Sequence, residues 1–185
     1  MDEEVSIINS NTRNEKIKNF LVQNKNKLII LVLTILIILA GAYSFDKYKT
    51  NKKKEISNKF NLTTLEYSEN IRNITAVKLI EIIKEKDSTY SPLSLYFIID
   101  NKIISDQNEI NSYFDILIDK TKIDLEIKNL VIYKKALFNA DTASESDLLN
   151  ILNPIINSES VWKAHSLYLI GEYFYSKNEK QKSKE

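Results

Sequence analysis

Apolar and polar residues along this chain mostly recur at the three- and four-residue steps of helices, and one stretch departs from that pattern by being apolar throughout. Residues 28–45, LIILVLTILIILAGAYSF, carry no charge over eighteen positions, with Lys25 and Lys27 before them and Asp46, Lys47 and Lys49 after them. At about 1.5 Å per residue such a helix reaches roughly 27 Å, close to the roughly 30 Å hydrocarbon thickness of a bilayer. One helix satisfies all of its own backbone polar groups, and Tyr43 and Tyr48 fall where aromatic rings meet lipid headgroups. The stretch therefore predicts a single transmembrane helix in contact with bilayer lipid, flanked by Lys25, Lys27, Lys47 and Lys49. A rival reading is a cleaved signal peptide, because Ala40-Gly41-Ala42 follows the apolar core in the small-x-small pattern of a signal peptidase site. Against it, 27 residues precede the apolar core, and no Pro or Gly separates the span from the Lys-rich helix beyond it.

The span divides the chain into a tail of residues 1–27, the transmembrane helix 28–45, a segment 46–71 and a region 72–185. In the tail, Ile17, Phe20 and Leu21 share one helical face beside Lys16, Lys18 and Lys25, which predicts either an interfacial helix on a membrane surface or a helical lead-in with no partner. In the third segment, Ile56, Phe60, Tyr67 and Ile71 recur at about four and seven residues and predict a helical stalk. From residue 72 onward, short polar breaks separate amphipathic stretches. Ala76, Val77, Ile80 and Ile83 form a first face, and Ser91-Pro92 opens the helix of Leu95, Ile98 and Ile99. Ile110, Phe114 and Leu117 make its partner. Ile127, Leu130, Val131, Leu137 and Phe138 mark the next helix, whose return helix starts at Ser144 and is stopped by Asn153-Pro154. The last face is Trp162, Leu167, Ile170 and Phe174, closed by a turn at Asn178, a residue type that tolerates left-handed backbone.

These helices pair into hairpins whose first members begin near Ser91, Leu125 and Ser160, 34 and 35 residues apart. That is the period of tetratricopeptide repeats, in which each hairpin buries its apolar face by stacking on the next. Leu167, Ile170, Gly171 and Phe174 stand at the spacing of the repeat's W-x2-L-G-x2-Y pattern, and Ser183 falls where the second helix needs a small residue. Gly171 has a physical reason to be small, since the two helices cross closely there. The other two units place Ile99 and Lys134 or Ala136 near the small position. The expected fold is all-α: one N-terminal transmembrane helix, a helical stalk, and an α-solenoid of tetratricopeptide-like antiparallel hairpins. Its packing residues are Leu95, Ile98, Ile99, Phe114, Leu130, Leu137, Trp162, Leu167, Ile170, Gly171 and Phe174.

Composition narrows the chemistry. Among 185 residues there is no Cys and one His, His165, which removes disulfides, thiolate metal sites and imidazole clusters. Two Gly and two Pro leave no glycine-rich phosphate loop. Asp100, Asp115, Asp119 and Asp124 fall on polar helix faces or caps, and His165 lies beside Trp162, so no catalytic constellation, cofactor or small-molecule substrate is expected. The net charge of +1 hides an asymmetry: residues 46–59 hold six bases against two acids, and residues 60–185 hold fifteen bases against nineteen acids. The basic run reads as a solvated collar at lipid headgroups, and the acidic region behind it argues against nucleic acid. Bases are nearly balanced about the span, so charge leaves its orientation open, including a cytosol-facing domain.

The order of these parts resembles a family of single-pass bacterial inner-membrane proteins with a tetratricopeptide-like domain. They are the ancillary subunits of the SecYEG translocon, whose domain is grouped with the cell-division coordinator repeat. The resemblance runs from about residue 15 to the end. It includes the lead-in KIKNFLVQNKNKL, the span, a helical stalk, Tyr90 opening the repeats, and the last hairpin with its GEYFYSKNEKQKS turn. It implies a cytoplasmic N-terminus, a periplasmic domain, translocon subunits and periplasmic chaperones as partners, no catalytic residues, and at least one further helix beyond residue 185. The alternative function is a signal-peptide-exported soluble periplasmic scaffold serving cell-envelope or division assembly.

Overall fold

The computed structural model describes residues 2–179 and 181–184, with side chains from 13 to 179 and 181 to 183. Met1, Lys180 and Glu185, which fall in the expected tail and last hairpin, lie outside the described residues. Among the described residues the chain is all-helical, with eight α-helices and no strand. They are α1 (Asp2–Gln23), α2 (Lys25–Leu65), α3 (Arg72–Glu85), α4 (Tyr90–Asp100), α5 (Gln107–Asp115), α6 (Leu125–Asn139), α7 (Glu145–Ile156) and α8 (Lys163–Ser176). Short 3-10 turns stand at Glu69–Ile71 and Lys182–Lys184, and a π-helical turn, Ile116–Lys120, follows α5.

The chain divides into two compact units, Met1–Lys52 and Lys53–Glu185. In the first, α1 carries Ile17, Phe20 and Leu21 exposed. The apolar residues 28–45 lie within α2, whose most apolar eighteen-residue window has a mean hydropathy of 2.7 and no buried residue. That segment is long and apolar enough to cross a membrane. Its Thr34 hydroxyl donates to the Ile30 carbonyl at 2.8 Å, so this polar group is satisfied without a partner outside the helix.

The second unit holds two apolar clusters that meet at α6. Ile56 of α2, Leu79, Ile82 and Ile83 of α3, Leu95 and Ile98 of α4, Phe114 of α5 and Val131 of α6 belong to the first. Ile132 and Ala136 of α6, Leu148, Leu152 and Ile155 of α7, and Leu169 of α8 make the second. Adjacent residues of one helix thus face opposite clusters, and each buried aliphatic side chain contributes roughly 1.5–3 kcal/mol.

The segment 46–71 is not a free stalk beyond Lys52. Ile56 is buried, the Phe60 ring lies 5.6 Å from Tyr90, and the Tyr67 ring meets Phe97 edge-on at 5.5 Å. A free stalk would leave these side chains in water, whereas the domain core removes them from it. The Ser57 hydroxyl also donates to the Tyr90 hydroxyl, and Lys59 pairs with Glu81. That pair holds the Glu81 carboxyl below its ordinary value of 4.5, first through the hydrogen bond and then through the charge of Lys59. A group with a lowered folded pKa stabilises above its unfolded pKa and loses that contribution as pH falls through the folded value. The melting temperature of Glu81→Gln should therefore lie below that of the parent at pH 7 and converge with it in acid; a gap that persists unchanged would contradict the pairing.

Local chemistry explains most of the helix ends. Asp106 accepts from the backbone N–H groups of Asn108 and Glu109, Asp124 accepts from Glu126, and Ser144 accepts from Asp147. At α4 the work falls to Asp87, which accepts from Thr89 and Tyr90 at 2.9 and 2.8 Å. Ser91, expected as the cap, is instead buried inside the first turn and donates to Ile82 of α3. Left-handed backbone closes three helices at Lys86, Lys102 and Asn178, the last as expected, with both glycines used inside helices. Arg72 then donates to the carbonyls of Lys102 and Ile103, placing a cation at the C-terminal end of α4. Pro154 does not stop α7, which continues to Ile156. In the last turn it forfeits one backbone bond, to Asn150, and Asn150 is exposed to water.

Pairing departs from the expectation in one place. The first members of the expected hairpins, α4, α6 and α8, start at Tyr90, Leu125 and Lys163, 35 and 38 residues apart. Helix α7 packs against both α6 and α8, but α4 lies more extensively against α3 than against α5. The cause is the buried row Thr75, Leu79, Ile82 and Ile83, which faces α4 while Val77, expected inward, is 57% exposed.

Candidate interaction groove

The exposed faces of α4, α6 and α8 are joined by a chain of surface openings. A cleft of about 380 Å³ lies between the N-terminal halves of α4 and α6, lined by Pro92, Leu93, Tyr96, Asp124, Ile127 and Leu130 among others. A narrower one of about 130 Å³ lies between their C-terminal halves, lined by Tyr96, Ile99, Asp100, Lys134, Leu137 and Phe138. Like halves face each other, so α4 and α6 run in the same sense, and Tyr96 lines both clefts. A third opening of about 320 Å³ joins the end of α6 to α8, lined by Leu137, Ala140, Asp141, Leu169, Glu172 and Tyr173. Leu137 lines the second and third, so the three openings follow one another along the same face of α6.

The groove follows from the pattern on α6. Residues 127, 130, 134, 137 and 141 recur at steps of three and four and form one stripe, whereas Asn129, Val131, Ile132, Ala136 and Asn139 are buried. Asn139 earns its place inward by bonding: it exchanges side-chain hydrogen bonds of 2.9 and 2.8 Å with Asn111 of α5 and accepts another from Gln107. With that stripe committed to the core, the second apolar stripe is left facing out.

Tyr96 is the pivot of the groove. Its hydroxyl is buried without a hydrogen-bond partner, and burial raises its pKa, so the ring carries a neutral O–H at physiological pH. The Lys134 ammonium sits 4.8 Å from the centre of the same ring, in cation–π range. The Tyr168 hydroxyl on α8 has a raised pKa because it bonds to the Glu172 carboxylate. Elsewhere, Tyr133 stacks on Trp162 with centroids 5.8 Å apart, and the exposed His165 lies 5.4 Å from Trp162 at the edge of that pair. Asp124 caps α6, Asp115 pairs with Lys135 at 2.6 Å, and Asp100 and Asp119 are exposed. No family model matches the sequence, and comparison with curated proteins and with solved structures finds no match.

The expected packing residues separate into three groups. Leu95, Ile98, Phe114 and Phe174 are buried. Ile99, Leu130, Trp162, Ile170 and Gly171 are half-buried; a Cβ on Gly171 would meet the Ser183 carbonyl at 3.4 Å, an ordinary contact, and Ser183 lies in the 3-10 turn Lys182–Lys184, with no second helix of the expected hairpin among the described residues. Leu137 and Leu167, in contrast, are each 50% exposed and do not pack into the core. Both stand one position from a small residue that is fully buried, Ala136 and Ser166. Hydropathy selects the leucine, but the helix phase turns the smaller neighbour inward. Lys25, Lys27, Lys47 and Lys49 are exposed on α2 on either side of the apolar segment. Leu93, Tyr96 and Ile127 were not among the expected functional residues; the two stripes on α6 were the available signal.

The phase of α8 can be tested directly. Leu167→Ala should change stability by less than about 1 kcal/mol, as a surface substitution does. Leu169→Ala, two positions on and 8% exposed, should cost about 2–3 kcal/mol in chemical unfolding. Equal costs would reverse the assignment of that face.

Proposed function

We propose that this chain is a membrane-anchored helical-hairpin module that holds other polypeptides at the membrane surface. The observation that carries the reading is the open apolar face formed by Leu93 of α4 and Ile127 and Leu137 of α6, which no described part of the domain covers and which Glu172 and Tyr173 of α8 border. A soluble domain that leaves such a surface uncovered has a contact to make there. The apolar part of α2 supplies the tether. Confinement at the bilayer raises the effective concentration of the groove near a membrane partner, so weak contacts suffice.

In this reading the domain is a tetratricopeptide-like stack, the N-terminus is cytoplasmic, and the groove faces the periplasm of a bacterial inner membrane. The translocon and the chaperones or clients around it are the partners that the family resemblance implies. The common sense of α4 and α6 supports the repeat arrangement. Continuous helix through Ala40, Gly41 and Ala42 supports retention of the anchor, because a peptidase works on opened backbone. The rival, a soluble exported scaffold, rests on the small residues at that site. Fractionation separates the two: the anchored protein stays in the pellet after a carbonate wash with its N-terminus intact, whereas a soluble form beginning at Tyr43 would overturn the tether. Protease added outside the inner membrane should digest the domain; protection would place it in the cytosol.

A further inference from the structure

We infer that the groove takes a cationic amphipathic segment of another polypeptide, which lays apolar side chains on Leu93, Ile127 and Leu137 and directs Lys or Arg toward the carboxylates of the rim. The inference rests on the groove being a binding surface, as proposed above, and adds the chemistry of what binds there.

Four carboxylates line the openings: Asp124 at the start of α6, Asp100 at the end of α4, Asp141 just beyond α6, and Glu172 on α8. One base, Lys134, lines them, and its charge is directed onto the Tyr96 ring. Some acids of the domain are in ion pairs, and others, such as Asp106, Asp119 and Asp147, form none among the described residues. Lys59 meets Glu81, Lys135 meets Asp115, and Lys182 meets both Glu145 and Glu179. Among the described residues none of the four rim carboxylates forms an ion pair, so their charge is not neutralised within the domain. Asp124 holds the Glu126 N–H and Glu172 the Tyr168 hydroxyl, both neutral donors. Apolar walls lengthen the reach of the charges on the rim, and four carboxylates against Lys134, with Lys177 over the Tyr173 ring, leave the rim net negative, which concentrates cationic ligands. Phosphate-bearing ligands, nucleic acid and anionic lipid headgroups alike, meet repulsion along the same path. A segment with apolar residues on one face and bases at its edges satisfies floor and rim together.

The test uses the full chain in phosphatidylcholine nanodiscs, with empty nanodiscs as the baseline, and a fluorescent Leu/Lys amphipathic peptide of about fourteen residues as the probe. Anisotropy should show the Leu/Lys peptide binding at least about tenfold more tightly than a Leu/Glu peptide of the same pattern. Raising salt from about 50 to about 300 mM should weaken it several-fold. Asp100→Lys combined with Glu172→Lys, both exposed and neither a helix cap, should weaken it by about tenfold with an unchanged circular dichroism spectrum. Equal or tighter binding of the Leu/Glu peptide, or binding indifferent to salt, would overturn the cationic assignment and leave the groove as a binding surface. Failure of both peptides to bind above empty nanodiscs would count against the groove itself.

Discussion

Arginine at both Leu33 and Ile37 should release the chain from carbonate-washed membranes. The apolar residues 28–45 include twelve Leu, Ile, Val or Phe side chains, and on an insertion scale of about −0.3 to −0.6 kcal/mol each they favour the bilayer by roughly 4–7 kcal/mol. Each arginine near the centre of a span opposes insertion by about 2.5–3.5 kcal/mol and also removes one favourable residue. Two of them bring the balance to zero or beyond. Both positions are exposed and no neighbouring helix lies against them to offer a counter-ion, so the domain's own stability should not change. Quantitative recovery of the double variant in the carbonate supernatant, with a domain that melts at the parent temperature, is the expected result. Retention in the pellet would mean that something other than this segment holds the chain on the membrane.

The second large effect is expected in the core. Phe114 is fully buried, belongs to the first apolar cluster, and its ring lies 6.0 Å from that of Phe138 on α6. Phe114→Ala should cost about 3–5 kcal/mol, from lost transfer energy and from the cavity that α4, α5 and α6 cannot collapse around. Single domains hold only about 5–15 kcal/mol in all, so the variant should melt roughly 10–20 °C lower. Its effect should extend to the second cluster, because Val131 and Ile132, adjacent on α6, face one cluster each. A drop of only a few degrees would place Phe114 outside the core.

The amino-acid pattern exposed the local features of this molecule more readily than the contacts between its helices. An uncharged run of eighteen residues needs no neighbours to declare itself, and it lies within a helix with no buried residue in its apolar window. The turn at Asn178 and the caps at Asp124 and Ser144 were equally legible, because each depends on two or three residues in sequence. What escaped depends on contacts between distant segments. The row of Ile56, Phe60 and Tyr67 has the same spacing whether it is a free stalk or a wall of the core; Tyr90 and Phe97 decide, and each lies 30 residues from the ring it meets. Val77 points out and Thr75 in because α4 covers one side of α3 only. Leu137 and Leu167 are as apolar as core residues yet half exposed, because apolarity alone does not say which face of a helix its neighbours cover. The same ambiguity hid the groove: Ile127, Leu130 and Leu137 were recognised as an apolar face, but that face is the one left open.

The central claim, that this open face is where the anchored protein meets other polypeptides, can be tested in intact membranes by photocrosslinking. A photoreactive amino acid is placed singly at Leu93, Ile127 or Leu137 in the groove and, as the control, at Val77, which is equally accessible on α3 away from it. The groove positions should form discrete higher-mass adducts with other proteins upon irradiation, and Val77 should not. Adducts that are absent from the groove, or no more abundant there than at Val77, would contradict the claim.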